Sequence, residues 1–386
     1  MEKPVVLVML DYFLPAYKAG GSVRTLANII ERLRNEFSFY VLTRDRDQGD
    51  DRPFDGIDSS WMERDGCRVK YLAPRRLTPW GMRRACRDLD YDLIYLNSFF
   101  SKMTVWILGL RRLGLLPDRP VLLAPRGELG QNPIALKRFK KPIYIRLVRL
   151  LGLYRGVIWH ASSERERAEI ERFFDGRVLI AADLPELLRQ KQPPPKPSKV
   201  PGEARFVFLS RLARKKNLSQ ALRLLMKARG DVIFDIYGTS EDPAYWAECQ
   251  KLMGQLPANV RCEYKGSIPY ERVHETLTGY HFFLFPTLSE NFGHVILEAL
   301  LAGLPLVISN ESFWVGLSEK GAGYDLPLAD DKGFVEAIQH FVDLDDRAYR
   351  EISERAWDLG RSYVEDPVPV ESNRRLFHDA SSRTET

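Results

Sequence analysis

Short, almost uninterrupted apolar runs alternate with segments of helical periodicity along most of the chain. Val5–Leu10 is the first run, and Phe37–Thr43, Leu93–Leu96, Val121–Ala124 and Val157–Ala161 follow it. Such runs are expected of strands in the middle of a parallel sheet, where both faces are covered. Val23–Leu33 has the spacing of an amphipathic helix. The alternation lapses at Arg189–Gly202, where Pro193, Pro194, Pro195, Pro197 and Pro201 stand among polar residues, a composition suited to a semi-rigid linker. It resumes with the strand Arg205–Ser210, the helix Leu218–Ala228, and the strands Val232–Tyr237, Arg261–Tyr264, Phe282–Phe285 and Leu304–Ser309. The pattern predicts an α/β protein with two Rossmann-like domains facing a cleft. The expected boundaries are an N-terminal domain over 1–190, a linker over 191–203 and a C-terminal domain over 204–365. The last segment, 366–386, is expected to pack back on the first domain through Val368, Val370, Leu376 and Phe377.

Composition narrows the function classes. The 386 residues are long enough for two cores, and 45% hydrophobic with 28% charged residues is ordinary for a globular protein. A net charge of +5 admits an acidic substrate or an anionic surface, and no zinc-finger or RNA-binding signature accompanies it, so nucleic acid is not an expected partner. Cys67, Cys86, Cys249 and Cys262 lack metal or redox spacing and read as thiols of a reducing compartment. Val5–Leu10 is too short for a signal-peptide core, and the apolar stretch Thr104–Leu116 is interrupted by Arg111 and Arg112. A cytoplasmic location is expected.

The candidate chemistry gathers at strand ends. The stretch Pro286–Asn310, PTLSENFGHVILEALLAGLPLVISN, reads as a loop, a helix starting near Phe292–Gly293, and a stop at Gly303 and Pro305. Glu290 precedes the helix and Glu298 lies eight positions later, a little over two turns, so both carboxylates can point one way. Backbone amides of Asn291, Phe292 and Gly293 at a helix start make a seat for phosphate. Arg211 and Lys216 follow the strand Arg205–Ser210 and can converge on one anion, with Asn217 as a helix cap. After Val5–Leu10, Gly20-Gly21 can bring backbone close to a ligand and Ser22 can cap the next helix, with Lys18 and Arg24 nearby. Asp45/Asp47 and Asp88/Asp90/Asp92 match Asp-x-Asp, but no histidine or further carboxylate supports a metal, and solvated acidic loops are the better reading. His281 and His294 read as structural.

The Glu-x7-Glu spacing, the small residues behind it and the Gly-x-Pro ending closely resemble the signature of family 4 retaining glycosyltransferases. The resemblance covers most of the chain and implies the GT-B fold. It also implies retaining transfer, without a divalent metal or other cofactor, from a nucleotide diphosphate sugar (a UDP- or GDP-sugar) to a hydroxyl of a glycan or lipid-linked acceptor. It implies roles as well: Glu298 on the ribose hydroxyls and Glu290 on the sugar. Arg211 and Lys216 would neutralise the diphosphate, Gly20 and Gly21 would line the donor phosphate, and backbone near Ile268 would read the base. Three departures stand out. Asn291 replaces the commoner glycine, Arg126-Gly127 replaces a His-Gly pair on the acceptor side, and Ala181–Pro185 replaces a Pro-Asn-Gly-like turn. Arg126 cannot act as a base and either meets an acidic group or pins its loop.

Leu136, Phe139, Ile143, Leu147, Leu150 and Tyr154 form a helical stripe, with Pro142 expected to kink or break the run. Lys137, Arg138, Lys140, Lys141, Arg146, Arg149 and Arg155 stand among and just beyond them. Two readings stay open: a core-facing helix with a solvated basic face, or peripheral contact with the anionic inner face of a membrane. Rival functions also stay open: a GT-B nucleotide-sugar epimerase or hydrolase, or a non-catalytic nucleotide-sugar-binding protein.

Overall fold

The computed structural model describes residues 3–87, 89–130, 140–188, 190–240 and 242–382. They form two units, Met1–Glu186 with Asp366–Thr386, and Leu187–Glu365. Asp88 and the predicted stripe positions Leu136–Phe139 lie outside the described residues.

The first unit is built on an eight-stranded sheet in the order β3-β4-β2-β1-β5-β6-β7-β8. Its strands are β1 (Val5–Met9), β2 (Ser38–Arg44), β3 (Met62–Arg64), β4 (Cys67–Leu72), β5 (Leu93–Asn97), β6 (Val121–Ala124), β7 (Val157–Ala161) and β8 (Val178–Ile180). Only β3 runs antiparallel to its neighbour. β1 shows why a continuous apolar run is needed here. Val6 and Val8 enter the core layer that also holds Leu26 and Ile29 of the helix Gly21–Leu33, whereas Leu7 and Met9 enter the opposite layer. The C-terminal helix Pro367–Ser381 belongs to this unit, burying Leu376, Phe377 and Ala380 in the first of those layers; Val368 is exposed.

The second unit has six strands in the order β11-β10-β9-β12-β13-β14, every described pairing parallel. These are β9 (Glu203–Leu209), β10 (Asp231–Tyr237), β11 (Val260–Gly266), β12 (Phe282–Phe285), β13 (Leu306–Ser309) and β14 (Gly323–Leu326). Counted from β9, this is the 3-2-1-4-5-6 order of a dinucleotide-binding sheet, with its reversal between β9 and β12. Aromatic packing fixes that central pair: Phe206 meets Phe282 at 5.2 Å, Phe208 meets Phe285 at 5.4 Å, and Phe282 stacks on Phe341 at 4.4 Å.

Several local expectations are corrected. The proline-rich stretch, expected to be a semi-rigid linker, is held on the second unit by Lys196 and Lys199. Lys199 is buried and donates to the carbonyls of Val200 (2.9 Å), Val342 (2.7 Å) and Leu344 (3.0 Å), while Lys196 donates to Ala302 O at 3.1 Å. Both lysines thus sit against the carbonyl-rich ends of helices, where a cation is favoured. Ser22 lies within its helix, whose N-cap is Gly20. Asp45 and Asp47 are buried, not solvated. Asp47 accepts from the amides of Tyr17 (2.9 Å) and Lys18 (3.2 Å) and so anchors the glycine loop. In the helix Lys140–Leu150 the predicted stripe is turned outward: Ile143, Leu147 and Leu150 are exposed, and Ile145 and Val148 face the core. Tyr144 explains the rotation, its ring lying 5.7 Å from Phe99 and 5.4 Å from Phe100 and its hydroxyl 2.9 Å from that of Tyr154. Pro142 sits near the described start of this helix.

Candidate functional site

In a doubly wound sheet, ligands bind beyond the carboxyl ends of the strands where the strand order reverses. In the second unit that place is bounded by the loops after β9 and β12, the loops that carry Arg211, Lys216 and Glu290.

The loop after β9 leaves the sheet through Ser210 N to Tyr237 O (3.0 Å) and Leu212 N to Thr239 O (2.8 Å). Gly238 is required at this crossing, since its φ is +140° and a Cβ would lie 1.8 Å from Ser210 O. A short turn, Arg214–Lys216, then delivers Lys216, and Asn217 ends it in the left-handed region at φ 60°. Asn217 stands at the start of the helix Leu218–Leu225 but does not cap it with its side chain, which donates instead to Pro286 O at 2.8 Å. Two further ties bind the loops: Leu288 N to Lys215 O at 2.9 Å, and the buried Thr287 hydroxyl to Lys215 O at 3.1 Å.

Held this way, the Lys216 ammonium pairs with the Glu290 carboxylate, both side chains being nearly buried, and lies 5.7 Å from the centre of the Phe285 ring. Burial alone would raise the Glu290 carboxyl. Lys216, with Lys215 and Arg211 adding their charge, outweighs it and holds the group below the usual range. The influence of Arg211 on Glu290 puts both expected cations in one electrostatic neighbourhood. Glu290 is therefore an ionised acceptor at neutral pH, suited to receive hydroxyl hydrogen bonds and unsuited to donate a proton.

The segment behind Glu290 is anchored by side chains the sequence did not single out. Glu290 N donates to Glu311 O at 2.8 Å. The Phe292 ring is buried beside Trp314 (5.6 Å) and Tyr363 (5.3 Å), and Trp314 Nε1 donates to Phe292 O at 2.8 Å. Only the backbone of Phe292 is therefore suited to a ligand. The adjacent Phe313-Trp314 pair is the sequence signal that could have pointed to this anchor. Gly293 follows at φ +81°, where a Cβ would come 2.8 Å from Ile296 Cδ1 and 3.0 Å from Glu290 Cγ. The helix His294–Leu301 starts there without a side-chain cap, just after the predicted position, with Asn291, Phe292 and Gly293 leading into its positive end. Glu298 is half-buried in the helix, one turn beyond His294.

The remaining candidates are dispersed. Ile268 follows β11, partly buried against the core. Gly20 and Gly21 belong to the first unit, Gly20 closing the loop after β1 and Gly21 starting the helix Gly21–Leu33, where that sheet's order reverses between β1 and β5. Gly20 has φ 82°.

Arg126 is part of the loop after β6 and has φ 58°. Each guanidinium nitrogen is engaged: Nη1 with Asp183 (2.7 Å), Nε with Asn97 (3.2 Å), and Nη2 with both Asn97 (2.9 Å) and Tyr95 Oη (2.7 Å). The chain continues from Tyr95 Oη to His160 Nδ1 at 2.8 Å, and His160 Nε2 meets Ala181 O at 2.9 Å. Burial, then the charge of Arg126, lowers the His160 imidazole to about 3, so it stays neutral. Of the two readings left open for Arg126, this geometry supports the loop-pinning one. Its partner Asp183 lies within the atypical Ala181–Pro185 segment, so these two sequence departures are structurally one.

Among the described residues, no group of three His, Cys, Asp or Glu is arranged to hold a metal ion. Asp90 pairs with Arg119, and Asp92 accepts from Val5 N. The four thiols are free, and burial pushes Cys67, Cys86 and Cys262 to about 12 and Cys249 to about 11.

Comparison with known proteins agrees with this division. Residues 190–357 match the family model described as Glycosyl transferases group 1, and residues 20–180 match that of the Glycosyl transferase 4-like domain. A curated relative is the UDP-N-acetylglucosamine–peptide N-acetylglucosaminyltransferase GtfA subunit of Streptococcus parasanguinis, 30% identical over 142 residues. That match takes in 35% of this chain and only 26% of the relative's length. Among solved structures, sucrose-phosphate synthase from Thermosynechococcus elongatus superposes with a TM-score of 0.72 at 16% identity, covering 98% of this chain and 99% of that one. HepE from Anabaena, solved with UDP and glucose, gives 0.71 at 15% identity with the same coverage. Matched to a glycosyl transferase model in each of its units, the chain is related to the GT-B-fold glycosyltransferases.

Proposed function

We propose that this protein is a retaining glycosyltransferase that moves a sugar from a UDP- or GDP-sugar to a hydroxyl of a glycan or lipid-linked acceptor. The observation that carries the reading is the buried Lys216–Glu290 pair, with Arg211 in its field, at the strand-order reversal and beside an uncapped helix start. A nucleotide-sugar donor needs these parts. Arg211 and Lys216 neutralise the diphosphate, the amides of Asn291, Phe292 and Gly293 receive its oxygens, and Glu298 takes the ribose hydroxyls. Glu290 orients the sugar as an ionised acceptor. Backbone near Ile268 receives the base, and Gly20 and Gly21 keep the donor contact that the resemblance implies.

In the reaction the bond from the anomeric carbon to the phosphate oxygen breaks and a bond from the acceptor oxygen forms on the same face. The acceptor's proton leaves with the departing phosphate. Catalysis is then mainly electrostatic: fixed positive groups stabilise a diphosphate whose charge grows as the bond breaks. A binding protein alone could dispense with Glu290, so its presence favours an enzyme.

The test has two arms. Thermal unfolding is measured with UDP and GDP, and nucleotide release from UDP- and GDP-sugars is measured with and without sugar acceptors, the product anomer being read by NMR. The expected result is stabilisation by one nucleotide diphosphate, acceptor-stimulated release and a retained anomer. Stabilisation by neither nucleotide, or an inverted product, overturns the proposal.

A further inference from the structure

Three helices of the first unit carry basic residues and no acidic ones. Helices Pro79–Cys86, Lys102–Arg112 and Lys140–Leu150 lie on one face of its sheet, because Met82, Met103, Ile107, Ile145 and Val148 all join a single core cluster with Leu7 and Met9. Their sequences, PWGMRRAC, KMTVWILGLRR and KKPIYIRLVRL, contain no Asp or Glu. At the whole-chain abundance of 52 acidic residues in 386, a stretch of this combined length would carry about four. The opposite layer is mixed: helix Gly21–Leu33 carries Glu31, and helix Pro367–Ser381 carries Glu371 and Asp379. The bias therefore belongs to these three helices and ends at the next one on the same face, Glu164–Glu171, which joins the same cluster through Ile170 and carries four glutamates.

The surface of the three helices is also apolar where it meets solvent. Ile143 is 64% exposed, Leu147 52%, Leu150 85% and Leu151 67%. They recur at successive turns along the whole helix, opposite Ile145 and Val148, so the helix is apolar on two sides. Leu113 and Trp80 add further large exposed side chains from the neighbouring helices, and the Arg112 guanidinium reaches Gly152 O and joins the Leu113 corner to the end of this stripe. Arg112, Arg146, Arg149 and Arg155 are exposed around it.

We propose that this three-helix face docks on an anionic lipid bilayer, with helix Lys140–Leu150 lying in the plane of the headgroups. A stripe along the full helix length fits a flat surface, exposed leucines and isoleucine enter the acyl boundary, and arginines and a tryptophan occupy the headgroup level. A nucleic acid would use the cations and leave the apolar stripe in water. This inference stands apart from the sugar-transfer reading, and its test involves no turnover.

The test is flotation of the full chain with vesicles of phosphatidylcholine alone or with one third phosphatidylglycerol, at low and at physiological salt. Two variants are compared with the parent: Ile143→Ser/Leu147→Ser/Leu150→Ser, and Arg112→Gln/Arg146→Gln/Arg149→Gln. The parent should float with the anionic vesicles and remain below with the neutral ones. Each triple variant should bind at least about tenfold more weakly, while its thermal midpoint is unchanged because these side chains are exposed. Absence of parent flotation with anionic vesicles overturns the proposal. So does undiminished binding by the serine variant, or retention on a single-stranded RNA column as strong as on vesicles.

Discussion

A methionine at position 216 would leave the Glu290 carboxylate buried without its partner. Breaking a buried pair from one side costs about 3–5 kcal/mol, whereas replacing both members costs far less. Lys216→Met should therefore destabilise the second unit strongly, and Lys216→Met with Glu290→Gln should regain most of that loss in urea unfolding. Stability and binding should then part company: the double variant should still lose about 100-fold in affinity for a nucleotide diphosphate, read by calorimetric titration. Recovery of both together would mean that the pair only supports the fold. Arg126 calls for the opposite expectation. Its guanidinium is shared among Asp183, Asn97 and Tyr95, and lysine cannot reproduce that fork. Arg126→Lys should destabilise the first unit by about 2–4 kcal/mol in the same unfolding measurement while leaving nucleotide affinity unchanged.

At the scale of elements, His281 joins three pieces of the second unit. Its Nδ1 accepts from Arg205 N at 3.1 Å, and its Nε2 lies 3.2 Å from Ser198 O, so the ring is neutral with its proton on Nε2. Burial, then the charge of Lys199, lowers it to about 4. A folded-state value below the unfolded one contributes stability above the ordinary histidine value, and that stability is lost as pH falls through the native one. Between about pH 6.5 and 4 the second unit should thus lose up to about 3 kcal/mol on this account. His281→Gln should flatten that slope in pH-dependent unfolding. An unchanged slope would remove His281 as its source.

Which elements were legible follows from the same physics. Phe282–Phe285 was readable as a strand because β12 is covered on both faces, and Glu290 stood out because it precedes Glu298 by eight positions in a stretch that stops at Gly303 and Pro305. The helix Lys140–Leu150 misled because two apolar stripes interleave in it, and only the contacts of Tyr144 with Phe99 and Phe100 decide which turns inward. Asp47 looked solvated because its partners are backbone amides of Tyr17 and Lys18, about thirty positions away and invisible to local pattern. Asn217 was recognised at its helix start, but its real partner, the carbonyl of Pro286, lies on another strand's loop.

For the molecule as a whole, the chain's last helix completes its first unit. Phe377 packs at 5.6 Å from Phe37, 5.7 Å from Phe39 and 5.2 Å from Tyr95, and Arg374 pairs with Glu36 at 2.7 Å. Asn373 adds a hydrogen bond to Ala182 O at 2.7 Å, in the segment that holds Asp183 against Arg126. The first unit's core therefore closes only when the final residues are in place, after the whole second unit has been passed along the chain. Phe377→Ala should cost about 3–5 kcal/mol, the usual loss for emptying a buried aromatic site. The loss should also be local. Hydrogen exchange should accelerate in β1, β2 and β5, which line that core, and stay unchanged in β9 and β12, with nucleotide affinity of the second unit retained. Equal loss of protection in both sheets would show that the two units depend on one core, contrary to the separate clusters of buried side chains they contain, two in the first unit and one in the second.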